Sequence, residues 1–497
     1  MLGYYFTFRY SFRKITHFSQ FSNSTNVVNS QILSDLFGIS CNEANLYVDK
    51  HKLQHKDGEL LAQSVELCRS FGYQNMDILN TPNLLTVHPL ELIQHYKALH
   101  EGGFNDITPH VLAKARTYMR RLIIQLKAKN LIPYSTNVPE MLISYIEDKN
   151  IAERVRKNYR NKKIWNDIHL EVLKNFLRIR LNGTKDEIDN LIRIHKFVRN
   201  KSFRVIQENI KVAQSLGFEP RKIIKYGYLL ASCPSYAETT LRDLGNIAGI
   251  DMKRAMRLYP KLMITPPRNI IKTYGILKQF DIPDETIRQQ PNVFHMAPQT
   301  VRVRLQEIEN SPDLKLLLQH PKILALVVHH NRANDRLSFL QQSQIRCVPL
   351  TILKTNVNNE YEEYLKEGKD VHKKSDVLEY LKKIFSIKKN DIKEKISRHP
   401  YYLQVPLKDM QETYDYLVSN SFTSCSIYKV IYILLYPVTK VRNIHDQLKS
   451  DINYNYKSLS QANKLNLMVY LMEKEHHFTG NGIWEKDKMP DHIEKLG

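Results

Sequence analysis

Apolar side chains along this chain recur at the three- and four-residue spacing of amphipathic helices. Ile270, Tyr274, Leu277 and Phe280 illustrate the pattern, because residues at this spacing line one face of a helix. Glycine (16 residues) and proline (20 residues) are sparse among the 497 residues, and no Ser/Gly-rich linker separates the halves. The pattern therefore predicts an all-α protein with one long helical body.

From about Val205 onward the helical pattern repeats, with proline at a fixed place in each copy. Pro260, Pro291 and Pro321 follow one another at intervals of 31 and 30 residues. Because proline disfavours helix in the residue before it and donates no backbone hydrogen bond, it should end the second helix of each copy. A hairpin of about 30 residues cannot bury its apolar face alone. Stacked copies predict a solenoid, a right- or left-handed superhelix with one concave face for a ligand.

The first 34 residues have the composition of a mitochondrial transit peptide. They contain no Asp or Glu, while Arg9, Arg13 and Lys14 lie among aromatic residues and serines. A secretory signal needs an unbroken apolar stretch, which Arg9 and Arg13 interrupt. We therefore predict import into the mitochondrial matrix.

Charge and repeats together divide the chain into four predicted segments. These are a transit peptide at 1–34, an N-terminal helical region at 35–204 with a first repeat near 78–104 and a basic segment at 151–204, tandem repeats at 205–445, and a C-terminal helical cap or tail at 446–497.

The repeats resemble the motif of the mitochondrial transcription termination factor (MTERF) family. The resemblance rests on unit ends such as AMRLYPKLM (255–263), TIRQQPNVF (286–294) and LLLQHPKIL (316–324), with a weaker copy at ILNTPNLL (78–85). The closing segment that ends at Trp484 is similar to that of insect members. Membership implies two helices and a short 3₁₀ turn per unit, wound into a superhelix that grips duplex nucleic acid along a basic concave side. Two units depart from the pattern and are expected to be distorted, one at Gly227 and one at 348–350.

The charge balance favours a polyanionic ligand. Lys and Arg number 73 against 51 Asp and Glu, a formal charge of +22, and residues 151–210 carry 15 Lys/Arg against 7 Asp/Glu. Cations that repeat at one phase of a solenoid would form a track for phosphates. The predicted nucleic-acid-binding residues are Arg154, Arg156, Lys157, Arg160, Lys163, Arg221, Lys225, Lys253, Arg254, Arg257, Arg288, Arg302, Arg304, Arg332 and Arg336.

Three aromatic residues near the unit ends, Tyr226, Tyr228 and Phe294, could stack on bases of an opened duplex. Most of the aromatic residues in this part of the chain flank the unit ends, so core packing is the stronger expectation.

No enzyme signature is present. The chain lacks a P-loop and a G-x-S-x-G motif, and its five cysteines form no C-x-x-C pair. No catalytic residue, metal site or cofactor is predicted, and the absence of an apolar run near 18 residues argues against a membrane span.

Three functions stay open at this point. The first is a monomeric double-stranded DNA-binding protein of the matrix that regulates transcription, chiefly termination, with another MTERF-family protein as a further candidate partner. The second is a mitochondrial rRNA-binding ribosome assembly factor, because RNA is recognised by shape and unpaired bases. The third is a helical protein-interaction scaffold, which would leave the charge excess unexplained.

Overall fold

The computed structural model describes residues 25–159, 162–354, 358–368, 370–450 and 456–475. Within these ranges the chain is helical almost throughout, and one two-residue antiparallel hairpin joins β1 (Asn246–Ile247) to β2 (Ile250–Asp251). The predicted all-α class is confirmed.

The chain folds as two compact units, Met1–Ser235 and Tyr236–Gly497. The division falls inside the predicted repeat segment 205–445 and not at its first residue. The reason lies in the helix Phe203–Ser215, whose N-terminus is bonded to the side chain of Glu101, so the first copy of the repeat belongs to unit 1.

The helices of unit 1 are short, and several are separated by only one or two residues. They are α1 (Thr25–Phe37), α2 (Cys41–Lys50), α3 (Gly58–Ser70), α4 (Asn75–Leu79), α5 (Asn83–Thr86), α6 (Pro89–Glu101), α7 (Pro109–Ala113), α8 (Ala115–Met119), α9 (Ile123–Ala128), α10 (Val138–Ser144), α11 (Lys149–Asn158), α12 (Trp165–Arg180), α13 (Lys185–Ile194), α14 (Phe203–Ser215) and α15 (Pro220–Lys225), with 3₁₀ helices at Lys196–Asn200 and Gly227–Ala231.

A helix that crosses the division, α16 (Pro234–Thr239), precedes the helices of unit 2. These are α17 (Met252–Leu258), α18 (Pro267–Gln279), α19 (Asp284–Gln289), α20 (Pro298–Asn310), α21 (Ile323–Val328), α22 (His330–Gln342), α23 (Leu350–Lys354), α24 (Asn358–Glu367), α25 (Lys374–Phe385), α26 (Lys389–Ile396), α27 (Leu407–Ser419), α28 (Ser424–Lys429), α29 (Val438–Ser450) and α30 (Gln461–Glu475), with a π-helical turn at Thr240–Leu244 and 3₁₀ helices at Pro260–Ile264, Pro291–His295, Lys315–Leu317, Ile431–Leu435 and Tyr456–Ser458.

Three copies of one module have identical element lengths: a 13-residue helix, a six-residue helix and a five-residue 3₁₀ helix. The long helices of these copies are α14, α18 and α27. The copy that contains Gly227 is therefore regular, and the expectation that it would be distorted is wrong. In this copy the 3₁₀ helix begins at Gly227 itself, with no proline.

Each long helix of the module ends in the same way. A residue with positive φ follows the helix, as at Gly217 (φ 84°), Asp281 (φ 53°) and Ser421 (φ 67°). The next residue is a buried apolar one whose backbone N–H donates to a carbonyl five residues earlier, as Ile282 does to Leu277 at 3.0 Å. This Schellman-type closure turns the chain toward the short helix and anchors the turn in the core.

The prolines occupy two places in the module. Pro260 and Pro291 begin a 3₁₀ helix directly after the short helix, as the sequence pattern predicts. Pro437 instead precedes a long helix, because the 3₁₀ helix of that copy is already complete at Leu435. Pro321 is followed by α21, an α-helix, where the family resemblance implies a 3₁₀ turn.

The first helix overlaps the predicted transit peptide. Residues 1–24 lie outside the described residues, but α1 begins at Thr25 and packs on α2 and α3. Leu33 is fully buried, and Asn29 Nδ2 donates to the backbone oxygens of Leu53 and Lys56 at 2.9 Å each. The boundary predicted after Ser34 would thus divide a helix that belongs to the core of unit 1.

Candidate nucleic-acid interface

The short helices of unit 2 carry several of the predicted phosphate-binding cations at their surface. Lys253, Arg254 and Arg257 are exposed on α17, where the Asp251 carboxylate caps the helix by accepting the backbone N–H of Lys253. Among the described residues, Lys253 and Arg254 have no carboxylate at ion-pair distance. Both can therefore be neutralised by an external anion.

Arg288 lies at the module position equivalent to Arg257, three residues before the proline that begins the 3₁₀ helix. Its guanidinium donates to the Ala248 carbonyl at 3.1 Å and covers Gly249, where an added Cβ would stand 3.0 Å from Nη1. Arg288 therefore holds the β1–β2 hairpin, although its side chain is still partly exposed.

Four other predicted cations have partners within the chain. Arg156 forms an ion pair with Glu140 at 2.9 Å, Arg302 donates to the Gln279 side chain at 2.8 Å, and Arg304 donates to the Val327 carbonyl at 2.7 Å. Arg336 is only 6% exposed, donates to the Ile352 carbonyl at 2.8 Å and lies 4.5 Å over the Tyr361 ring. A phosphate contact by Arg336 is contradicted, because its charge is buried against a carbonyl and an aromatic ring.

The remaining predicted cations are exposed. On α15 these are Arg221 and Lys225, and Lys225 lies 5.7 Å over the Tyr226 ring. Arg332 is exposed on α22, and Arg154 and Lys157 are exposed one helical turn apart on α11. Arg160 lies outside the described residues. Lys163 belongs to a cluster that the sequence did not reveal.

This bridge cluster consists of Arg120, Arg121, Lys162 and Lys163. The segment that follows α8 pairs with the segment that precedes α12 through an antiparallel bridge between Leu122 and Ile164. Backbone bonds from Ile123 N to Lys163 O (3.0 Å) and from Trp165 N to Arg121 O (3.2 Å) fix the pairing. Arg121 and Lys163 lie diagonal to one another across this bridge, and Arg120 and Lys162 are their neighbours in sequence, so four exposed cations flank one backbone pairing.

The bridge cluster has no internal counter-charge. No described carboxylate forms an ion pair with any of its four side chains, and all four are exposed. Cations that a backbone pairing holds near one another repel each other, and a bound anion would relieve this repulsion. Arg120, Arg121 and Lys162 were missed in the sequence because their proximity depends on a pairing over more than 40 residues.

The aromatic residues predicted to stack on bases separate into two groups. Phe294 is fully buried, so a stacking role is contradicted, since its ring faces the core of unit 2. Tyr226 and Tyr228 are half-buried with ring centroids 5.9 Å apart, and Tyr228 lies 5.9 Å from His195.

His195 in turn contacts Phe197, which is 52% exposed. The four rings of His195, Phe197, Tyr226 and Tyr228 form an aromatic cluster on the two 3₁₀ helices of unit 1. Burial raises the pKa of Tyr228 to about 12, which keeps its phenol neutral near pH 7. His195 and Phe197 were missed because the copy that contains them has no proline.

Metal-ligand groups and membrane-spanning helices are the two remaining features of interest. Within the described ranges, no group of three His, Cys, Asp or Glu side chains is placed to hold a metal ion. No helix among those same residues is both long enough and apolar enough to cross a bilayer.

Comparison with known proteins gives one extended similarity. The chain is 28% identical over 482 residues to Transcription termination factor 5, mitochondrial, from Drosophila melanogaster. The aligned region covers 94% of this chain and 85% of the relative. This similarity supports membership of the mitochondrial transcription termination factor family. It agrees with the family that the proline-bounded repeats suggested, and the relative is an insect protein, as the closing segment that ends at Trp484 suggested.

The MTERF assignment rests on this relative and on the repeats. No family model matches the chain. No solved structure matches it either. Because the similarity extends over nearly the whole chain, it includes the N-terminal helices that hold the bridge cluster as well as the repeats.

Proposed function

We propose that this protein binds double-stranded mitochondrial DNA in the matrix and regulates its transcription, chiefly by promoting termination. The name of the Drosophila relative supports the process and the compartment. The observation that carries the proposal is the bridge cluster, four exposed cations fixed by backbone pairing and without a carboxylate partner.

Phosphate contacts would supply most of the affinity. Arg120, Arg121, Lys162 and Lys163 offer them in unit 1, and Lys253 and Arg254 offer them in unit 2. Such contacts position a protein on the duplex without reading its sequence. Any sequence preference would come from arginines that reach guanine edges in the major groove. A superhelix closed around the duplex would then obstruct the polymerase.

The test is a salt titration of duplex binding by the full chain. Neutralisation of each phosphate contributes about −0.9 to the slope of log K against log salt. For the triple variant Arg121→Gln/Lys162→Gln/Lys163→Gln we expect a slope shallower by about 2–3 and weaker binding at low salt.

A matched variant controls for net charge. Lys50→Gln/Lys52→Gln/Lys185→Gln removes the same charge from exposed positions of unit 1 outside the bridge cluster. It should leave the slope within about 0.5 of the parent value, since no phosphate contact is lost. Equal slopes for the two variants would exclude the bridge cluster as a contact surface, and salt-insensitive binding by the parent would exclude the proposal as a whole.

A second candidate, binding of structured rRNA, is favoured by the aromatic cluster. Phe197 is 52% exposed and lies beside His195, and Lys225 lies next to Tyr226, an arrangement suited to unpaired bases. Phe197→Ala should weaken binding of a looped rRNA fragment about five- to a hundredfold if a base stacks there, and leave fully paired duplex DNA unaffected. Retention of rRNA affinity by this variant would remove the support for the second candidate.

A further inference from the structure

A groove of about 450 Å³ in unit 2 is separate from the cations considered above. Its walls come from α25, from the turn between α25 and α26, from the 3₁₀ helix Lys315–Leu317 with the residues after it, and from the loop before α19. A volume of this size matches that of small-molecule sites and far exceeds the space that a simple inorganic anion needs.

One rim of the groove is cationic. Lys382, Lys383 and Lys388 line it, and none of the three forms an ion pair with a described carboxylate. Glu379 also lines the groove, but its carboxylate is paired with Lys389. The rim therefore presents three ammonium groups without a counter-charge.

A buried histidine lies beneath the groove. His320 is 4% exposed, and its Nδ1 accepts the backbone N–H of Lys322 at 3.1 Å, which places the ring proton on Nε2. Nε2 makes no hydrogen bond. Nε2 has almost no accessible surface and lies 3.5 Å from Oδ1 of the buried Asp376, which also accepts from Ser375 Oγ at 2.8 Å, so the ring contacts this carboxylate and not the open groove. Burial lowers the pKa of His320 to about 4, so the ring is a neutral donor near pH 7.

Part of the groove lining is apolar. Pro283, Leu316, Leu317 and Ile387 contribute to it, and the Gln319 amide lies at its edge. Sites for small organic ligands combine such an apolar wall with a few convergent polar groups. The wall would accommodate a planar base or a sugar, and the amide could bond the edge of a base.

We propose that this groove binds a nucleoside monophosphate, with the phosphate among the three lysines and the nucleoside against the apolar wall. The shared chemistry is a phosphomonoester on a nucleoside, which a free nucleotide or the terminal nucleotide of a strand could supply. The inference does not depend on duplex binding, because the groove and the bridge cluster share no residue.

The test measures binding of AMP, adenosine and inorganic phosphate to the full chain by isothermal titration calorimetry. AMP should bind more tightly than either fragment. Lys382→Ala/Lys383→Ala/Lys388→Ala should weaken AMP binding about tenfold for each lysine that contacts the phosphate. Leu316→Ala should weaken AMP binding and leave the weak binding of phosphate unchanged.

The control variant is Lys373→Ala/Lys393→Ala/Lys429→Ala, which removes three exposed lysines of unit 2 that do not line the groove. It should retain AMP binding, as should the bridge-cluster variant. No saturable AMP binding by the parent, AMP binding no tighter than that of phosphate, or equal losses in both lysine variants would each overturn the proposal. Thermal melts of both variants ensure that a loss reflects the groove and not unfolding.

A competition experiment separates the two sources of the ligand. If the groove takes a strand end, a 5′-phosphorylated oligonucleotide should displace AMP better than the same oligonucleotide with a 5′-hydroxyl. If it takes free nucleotides, the two oligonucleotides should compete equally poorly while AMP binding persists. Both results support the proposal and differ only in the source of the ligand.

Discussion

Glu101 anchors the first long helix of the repeat to α6, and its replacement should open α14. The side chain is 2% exposed and accepts hydrogen bonds from Ser202 Oγ (2.5 Å), Phe203 N (2.7 Å) and Arg204 N (3.3 Å). Ser202 and Phe203 are fully buried, so water cannot replace the lost acceptor at either donor. Each buried donor left unsatisfied costs about 1–3 kcal/mol.

We therefore expect Glu101→Ala to destabilise unit 1 by about 3–5 kcal/mol, including the lost interaction of a carboxylate with the α14 N-terminus. Hydrogen exchange of the 203–215 amides should accelerate by about a hundredfold or more. Glu208→Ala removes an exposed carboxylate from the same helix and serves as the control. Unchanged exchange in Glu101→Ala, or equal acceleration in both variants, would refute the anchoring role.

The pH dependence of stability tests the same contact. Its expected sign is opposite to that of an ion pair, which lowers the pKa of its carboxyl group. Burial is the largest influence on Glu101 and raises its pKa above 4.5, although the bonds from Ser202, Phe203 and Arg204 oppose the rise. The folded state then binds more protons than the unfolded state above this pH, so stability falls as pH rises through the raised pKa. Glu101→Gln should lack this slope and cost less than Glu101→Ala. If the wild-type protein gained stability relative to Glu101→Gln as the pH rose from 4.5 through the raised pKa, the assigned effect of burial on Glu101 would be wrong.

Two further predictions concern stability and can be checked by thermal melts. Gly227→Ala should destabilise unit 1 by about 1–3 kcal/mol, because the new Cβ would lie 2.6 Å from His195 Cδ2. As a control, Gly275→Ala should be neutral or stabilising by about 0.5–1 kcal/mol, because its new Cβ meets nothing within 4 Å. A chain shortened by residues 1–34 should melt at a lower temperature than one shortened by residues 1–24, since only the first lacks the buried Asn29; equal melting temperatures would contradict this.

The sequence pattern predicted the period of the repeats because local rules control it. Proline at 260 and 291 begins a 3₁₀ helix by fixing φ and withholding a donor, and both features are visible in one sequence. The closure of the long helices was only partly visible. Gly217 is an evident turn residue, but Asp281 and Ser421 adopt positive φ because the buried residue that follows each of them pulls the chain into the core.

One copy escaped detection because it has neither the proline nor the helix lengths of the regular copies, since its two helices have 16 and 10 residues. The helices α12 and α13 and the 3₁₀ helix Lys196–Asn200 follow the order of the module, with His195 where other copies have the residue before proline. The turn there is stabilised by packing, since His195 lies against the backbone at Gly227 so closely that no side chain fits. Such a constraint between neighbouring copies leaves no local signature.

The candidate site was less predictable than the fold, because a repeated position does not guarantee a repeated role. Arg193, Arg257 and Arg288 each stand three residues before a 3₁₀ helix, yet Arg193 donates to Asn190 at 2.8 Å and Arg288 holds the Ala248 carbonyl. The position within the repeat therefore identifies which cations are equivalent, and only their partners within the chain identify which cations are available to a ligand. The bridge cluster, which has no carboxylate partner, should therefore dominate the salt dependence of duplex binding. Substitution of Arg288 should lower the stability of the β1–β2 hairpin more than it lowers the affinity for duplex DNA.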